Sequence, residues 1–284
     1  MGQSFYEADA DARAVFDEAS ELLGYDMKAL CFEENEKLNL TQYTQPAMVT
    51  TGIAIMKVVE KQGLLPDTAA GLSLGEYEAL YAAGALSVTD AIRVVARRGE
   101  LMEAAVPAGV GAMAAVLGAE ASLIEETLSE IPEVWIANYN CPGQIVISGK
   151  KEAVEAAAEA LKARGIKRVL MLNVSGPFHS GLLREAGEEL GKVLAETEIH
   201  PLRIPYYANV TGDIVEDAAK VRGLLTEQVY SSVRFEQSIR NMLSAGVDTF
   251  YELGPGKTLA GFVKKIDREA TVVNIETMED LAKI

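Results

Sequence analysis

Three residues that together can move an acyl group stand far apart in this sequence. Ser73 sits in Gly71-Leu72-Ser73-Leu74-Gly75, which matches G-x-S-x-G. That pattern marks a strand-to-helix turn so tight that side chains two before and two after the serine are expected to clash. Such a turn lifts the hydroxyl above a sheet. It also sets the serine at a helix N-terminus, where free N–H groups favour an oxyanion. The pentapeptide alone also fits an ordinary surface turn. Here the small residues Thr68-Ala69-Ala70 precede it and an apolar helical stretch follows, which is the context the turn requires.

A serine nucleophile needs a base that is neutral near pH 7 and within hydrogen-bond reach. The chain has two histidines, His179 and His200. His179 follows Gly176-Pro177-Phe178 and is the candidate base. His200, in Ile199-His200-Pro201, reads as a surface residue in a helix-to-strand connection. Arg98 is singled out by helical spacing. On a helix from Asp90, the residues Arg93, Arg97 and Glu100 share a polar face, whereas Arg98 falls with Ala91, Val95 and Met102. An inward guanidinium is costly without an anion beside it. Either an internal Asp or Glu supplies that anion, or a substrate carboxylate does, held bidentately.

The elements that would position these residues follow from periodicity. Residues 12–23 and 46–62 read as amphipathic helices, with Pro46 in a first turn. Helices are expected at 76–83 and 90–104, the second capped by Thr89. Residues 111–175 alternate strand (112–117), helix (122–130), two strands (134–138 and 144–148), helix (151–164) and strand (168–174). That order, β-α-β-β-α-β, is the one of a ferredoxin-like unit. We read residues 110–175 as a ferredoxin-like insert within a core formed by 1–109 and 176–284. The rest adds a helix (181–196), a strand (204–210), a helical stretch, a strand (249–253) and a last helix (259–265). Strands alternating with helices predict an α/β fold with a mostly parallel sheet covered on both faces.

Composition narrows the possible functions. Of 284 residues, 49% are hydrophobic, enough for a sizeable core, and 24% are charged, which argues against disorder. The net charge of −16 leaves no basic surface for nucleic acid or an anionic membrane. Two cysteines, Cys31 and Cys141, form neither a disulfide framework nor a zinc motif, and they fit a reducing cytoplasm. The polar, acidic N-terminus is unlike a signal peptide, and no apolar run approaches the ~20 residues of a membrane span. Gly254-Pro255-Gly256-Lys257 lacks P-loop spacing and reads as a strand-to-helix turn.

At this point the sequence resembles a family. Gly71-Leu72-Ser73-Leu74-Gly75-Glu76-Tyr77 is similar to the G-H-S-L-G-E-Y elbow of malonyl-CoA:acyl carrier protein transacylases. The likeness extends, in family order, over Thr44-Gln45-Pro46-Ala47, Arg98-Gly99, Asn138-Tyr139-Asn140-Cys141-Pro142-Gly143-Gln144, Gly176-Pro177-Phe178-His179-Ser180 and Glu252-Leu253-Gly254-Pro255-Gly256-Lys257. There are two departures. Leu72 stands where the family has histidine. The family's opening strand and G-Q-G-x-Q loop, whose glutamine N–H forms half of the oxyanion hole, has no counterpart in these residues.

The resemblance implies a hydrolase-like α/β core and a malonyl-serine mechanism. Malonyl-CoA and an acyl carrier protein bearing a phosphopantetheine thiol are the implied partners, and no bound cofactor or metal is required. By the resemblance, Ser73 is the nucleophile and His179 the base. The backbone carbonyl of Gln228 orients His179, and the backbone N–H of Leu74 gives one oxyanion donor. Arg98 anchors the malonyl carboxylate. Asn140 lines the acyl group, as does Gln45, and Phe178 crowds an α-methyl branch. Lys257, Lys264, Lys265 and Arg268 are candidates for a basic patch that meets an acidic carrier.

Overall fold

Near the N-terminus, helix ends follow local chemistry. Asp9 accepts from the N–H groups of Asp11 and Ala12 to start one helix, and Gly24, at a φ of 73°, ends it. The computed structural model describes residues 1–107, 109–174 and 176–284. Its first half holds α1 (Gln3–Ala8), α2 (Ala10–Leu23), α3 (Met27–Phe32), α4 (Thr41–Lys61), β1 (Ala69–Ala70), α5 (Gly75–Ala82), α6 (Val88–Ala104), β2 (Gly111–Leu117), α7 (Ala121–Ser129) and β3 (Val134–Cys141). The second half holds β4 (Gln144–Lys150), α8 (Lys151–Ala163), β5 (Arg168–Met171), α9 (Arg184–Glu196), β6 (Tyr206–Tyr207), β7 (Ile214–Val215), α10 (Val221–Gln228), α11 (Phe235–Ser244), β8 (Thr249–Leu253), α12 (Thr258–Ile266), β9 (Thr271–Ile275) and α13 (Met278–Leu281). No helix among the described residues is long and apolar enough to cross a membrane.

α4 and α6 both start earlier than the sequence expectation. α4 begins at Thr41, so Pro46 lies inside it. Pro46 removes one intrahelical donor, but thirteen buried residues hold this helix in place. The Thr41 N–H is taken by Glu103 Oε2 at 2.7 Å. α6 is capped by Ser87, whose Oγ accepts from the Asp90 N–H at 3.0 Å. Thr89 instead hydrogen-bonds Glu18. Ser87 stands three residues before Asp90, the spacing at which a capping oxygen meets a free helical N–H.

α4 and α6 pack closely because α6 carries Gly99. A Cβ there would lie 2.9 Å from both Gln42 Cα and the Thr41 carbonyl oxygen. The missing side chain lets the two backbones approach, which brings the Arg98 head to Gln45. Around this pair, α1, α2, α5, α9 and α10 contribute to one buried cluster that includes Phe5, Phe16, Ile53, Leu80, Ile92 and Leu190.

β2 to β5 form an antiparallel four-stranded sheet in the order β3-β4-β2-β5. β2 pairs β4 from Gly111↔Lys150 to Leu117↔Gln144. Alternate strand residues such as Ala114, Val116, Ile145 and Ile147 bury against Ile124 of α7 and Val154 and Leu161 of α8. The expected β-α-β-β-α-β order is present, although β5 stops at Met171 and Ser175 lies outside the described residues.

The mostly parallel sheet is corrected. β1 pairs β6 in parallel and β8 pairs β9 in parallel, but these belong to two separate short sheets. Antiparallel pairs predominate among the described residues. The strand expected at 204–210 shrinks to Tyr206–Tyr207. Pro205 has no N–H to offer, and the Asn209 N–H turns to the Glu76 carboxylate. β9 was not expected at all. A cavity of about 590 Å³ lies between β1 and β8, lined by Ala69 and Ala70 on one side and Phe250 and Tyr251 on the other.

Candidate active site

The serine turn follows directly from β1. Ser73 has φ 53°, in the left-handed region that non-glycine residues rarely occupy. A Cβ at Gly71 would lie 2.0 Å from the Gly75 carbonyl, so Gly71 must be glycine. Gly75 differs from the expectation, since a Cβ there would meet nothing within 4 Å. Side chains hold the turn from outside. Asn209 Oδ1 accepts from the Ser73 N–H at 2.6 Å, and Asn209 Nδ2 donates to the Gly71 carbonyl at 2.6 Å. Gln228 Nε2 donates to the Ser73 carbonyl at 2.9 Å. Among the described residues no backbone acceptor takes the Leu74 N–H, which starts α5.

His179 also has a left-handed φ, 56°, in the turn between β5 and α9. It is buried. Its Nε2 lies 2.7 Å from Ser73 Oγ, and its Nδ1 lies 2.8 Å from the Gln228 carbonyl oxygen. A carbonyl can only accept, so Nδ1 carries the proton. Nε2 then offers a lone pair to the Ser73 hydroxyl. Burial, with the nearby Arg98 charge, pushes the His179 imidazole down to about 4, while hydrogen bonds to Gln228 and Ser231 oppose the shift. The imidazole is therefore neutral at pH 7 and able to accept a proton.

That shift fixes an expected pH profile. The rate of serine acylation by a thioester without a terminal carboxylate should stay flat between pH 6 and 8 and fall only below about pH 5, as the imidazole protonates. Stopped-flow acylation across this range checks it. Half-loss near pH 6.5, the usual histidine value, would contradict the buried environment.

Arg98 projects from α6 and is only 1% exposed. Its Nη1 donates to Gln45 Oε1 at 2.9 Å. Its Nη2 donates to Gln228 Oε1 at 3.0 Å and to Ser73 Oγ at 3.1 Å. The Tyr77 ring lies 5.6 Å from the guanidinium carbon. Among the described residues, no Asp or Glu forms an ion pair with Arg98. Its hydrogen-bond partners are neutral, and a buried cation so placed beside a serine hydroxyl has room in its chemistry for an anion.

The remaining expected residues are spread around this cluster. Gln45 is buried on α4, and its Nε2 also points at the Met102 sulfur at 3.5 Å. Phe178 precedes His179 and packs against both the main core and the small group Met113, Ala137 and Val146. Asn140 is buried on β3; among the described residues its Oδ1 has no hydrogen-bond partner, and no hydrogen bond joins it to Ser73, His179 or Arg98. β3 is tied to the segment after Gln228 by Tyr139 N–H to Val233 O and Val233 N–H to Ala137 O, each at 2.8 Å. His200 sits at the surface near Glu198. The large cavity touches the turn at Gly71 and Gly75, whereas Ser73, His179 and Arg98 lie outside it.

Sequence reasoning missed two polar residues. Glu76 is fully buried in the first turn of α5, three residues after the serine. Burial pushes its carboxyl up to about 7, opposed by bonds from Gln228 and Asn209. Asn209 follows β6 with no motif to announce it. The side chain of Gln228 also bonds Arg98 and Glu76, a role separate from its carbonyl.

Comparison with known proteins fits this geometry. A model of the acyl transferase domain matches residues 1–280. The malonyl CoA-acyl carrier protein transacylase of Bacillus subtilis is 46% identical over 286 aligned residues, covering 99% of this chain and 90% of the relative. The chain belongs to this acyl transferase family, among the malonyl CoA-acyl carrier protein transacylases. A solved transacylase of that name from Clostridium perfringens superposes with a TM-score of 0.96 at 42% identity, covering all of this chain and 90% of the other. The acyl carrier protein S-malonyltransferase of Vibrio cholerae gives 0.97 at 41%, covering all of this chain and 94% of the other. A type II PKS acyl-carrier protein in complex with its malonyl-transacylase gives 0.96 at 38%, covering all of this transacylase and 93% of that chain.

Proposed function

We propose that this transacylase carries a malonyl group from malonyl-CoA to the phosphopantetheine thiol of an acyl carrier protein. The observation that carries this assignment is the cluster itself. A serine bonded to a neutral imidazole shares its hydroxyl with a buried guanidinium that has no carboxylate partner. A thioester whose acyl group ends in a carboxylate satisfies both halves.

The steps balance without any added reactant. His179 Nε2 takes the Ser73 proton, Ser73 Oγ attacks the thioester carbonyl, and the C–S bond breaks as coenzyme A leaves with that proton. The malonyl-serine ester is held by Arg98, with Gln45 fixing the guanidinium. The carrier thiol then gives its proton to His179, attacks the ester, and Ser73 regains a proton as its C–O bond breaks. The Gln228 carbonyl keeps His179 in the tautomer that does this work. The Leu74 N–H, at the N-cap of α5, is the donor for the developing oxyanion. Asn140 lines the acyl group, and Phe178 crowds an α-methyl branch, which discriminates by about 1–3 kcal/mol.

The same assignment extends to architecture and setting. Residues 110–175 form a ferredoxin-like insert in a hydrolase-like core of 1–109 and 176–284, supported by the strand order β3-β4-β2-β5 and its own buried cluster. The insert delivers His179 at its exit. Lys257, Lys264, Lys265 and Arg268 cluster around α12 and offer local positive charge to the carrier. A cytoplasmic place in fatty acid synthesis suits this chemistry, as do two free, buried cysteines.

The reaction is tested against hydrolysis. With malonyl-CoA and holo carrier protein present together, malonyl-carrier should form at least tenfold faster than free malonate, as expected when the bound thiol is the positioned nucleophile. Equal release of malonate with and without carrier would make the protein a thioesterase.

A further inference from the structure

Gln228 bonds Ser73, His179 and Arg98. Its carbonyl oxygen accepts from His179, and its side-chain Oε1 accepts from Arg98. Its Nε2 donates to Glu76 Oε2 at 2.7 Å and to the Ser73 carbonyl at 2.9 Å. Gln228 and Glu76 are both fully buried. Glu76 Oε2 also accepts from the Asn209 N–H at 3.2 Å, and Glu76 forms no ion pair among the described residues. A carboxylate and a guanidinium thus hold opposite ends of one amide.

That arrangement fixes the amide. Rotated by half a turn, its NH₂ would meet the guanidinium donors and its oxygen would meet the carboxylate. Both contacts repel, and burial keeps bulk solvent from relieving them. The arrangement also sets the state of Arg98. A carboxylate in direct contact would neutralise the guanidinium and repel an incoming carboxylate. No counter-charge at all would leave a bare buried cation. One interposed amide avoids both extremes.

We propose that Glu76 is a positioning residue for the acyl-carboxylate anchor. Through the Gln228 amide it holds Arg98 beside Ser73 while leaving the guanidinium unpaired for the substrate. This role rests on the function proposed above.

The test compares malonyl-CoA with acetyl-CoA, which lacks the terminal carboxylate. Binding constants and kcat/KM are measured for both at pH 8, where Glu76, pushed up to about 7, is ionised. Glu76→Gln keeps the shape and a hydrogen bond but removes the charge. It should lower the malonyl-to-acetyl ratio about tenfold, the size of coupling expected between groups in one network. The double variant Glu76→Gln, Gln228→Glu keeps composition and net charge but moves the carboxylate onto Arg98. Its ratio should fall by about a hundredfold, mainly through a raised malonyl KM, because the anchor is already paired.

A purely structural role would lower both substrates alike, and the swapped pair would restore the wild-type ratio; either result overturns the role. An unchanged ratio in Glu76→Gln, with a wild-type preference for malonyl, does the same. A wild-type chain with no preference between the two thioesters would remove Arg98 as the anchor. That separate failure would strike the proposed function itself.

Discussion

Ser73→Ala should reduce malonyl transfer by on the order of 10⁵–10⁶-fold, the scale seen when a serine nucleophile is lost. The hydroxyl is the atom that bonds to the acyl carbon, so no neighbour replaces it. Ser73 already sits 2.7 Å from His179 Nε2 in a left-handed turn held by Asn209 and Gln228. The pair acts as a unit. His179→Ala should cost about 10²–10⁴-fold, the usual share of general-base catalysis. Adding it to Ser73→Ala should cost almost nothing further, because a base without a nucleophile has no proton to take. Steady-state transfer assays on the two single variants and the double variant check this. Multiplicative losses in the double variant would mean that His179 acts somewhere other than on Ser73.

Arg98→Ala should lower kcat/KM for malonyl-CoA by about 10²–10³-fold, since truncating one member of a buried, hydrogen-bonded charge pair costs about 2–5 kcal/mol. Acetyl-CoA should lose far less, so the preference between the two thioesters should collapse. The expectation comes from charge placement. Arg98 lies 3.1 Å from Ser73 Oγ and has neutral partners on its other bonds. A carboxylate two carbons beyond the reacting carbonyl is the anion that completes the set. Competition between malonyl-CoA and acetyl-CoA, read by mass spectrometry of the acylated protein, measures it. An unchanged malonyl preference would remove Arg98 from substrate recognition. Removing the guanidinium also strips donors from Gln45 and Gln228, so thermal melts belong beside the kinetics.

Much of this site was legible in the sequence because its signals are local. Helical spacing put Arg98 on the inward face of α6, and it is buried there. The glycine at position 71 is required by a backbone contact that any side chain would break. Other features are set by distant parts of the chain. Asn209 reaches the serine turn across 136 residues of sequence, and Glu76 meets Gln228 across 152. Neither residue type nor local spacing announces such pairings. The second glycine of the pentapeptide, Gly75, has open space where a clash was expected.

The fold was legible to the same degree and for the same reason. The antiparallel sheet from β2 to β5 holds three strands of seven or eight residues, β2, β3 and β4, and its elements appeared in the expected order. The parallel β1–β6 pair was overestimated because its strands are short. Ala69–Ala70 and Tyr206–Tyr207 pair over only two residues, too few to carry a period. β9 was missed because Thr271–Ile275 follows the last expected helix without a clear turn signal. The start of α6 shifted because an unexpected side chain, Ser87, took the Asp90 N–H.

Intact mass of the protein after brief mixing with malonyl-CoA, with no carrier present, addresses the nucleophile most directly. One malonyl group should appear on the wild-type chain, map to Ser73, vanish when holo carrier is added, and fail to form on Ser73→Ala. No adduct on the wild type, or an adduct that persists in Ser73→Ala, would contradict acyl transfer through this serine.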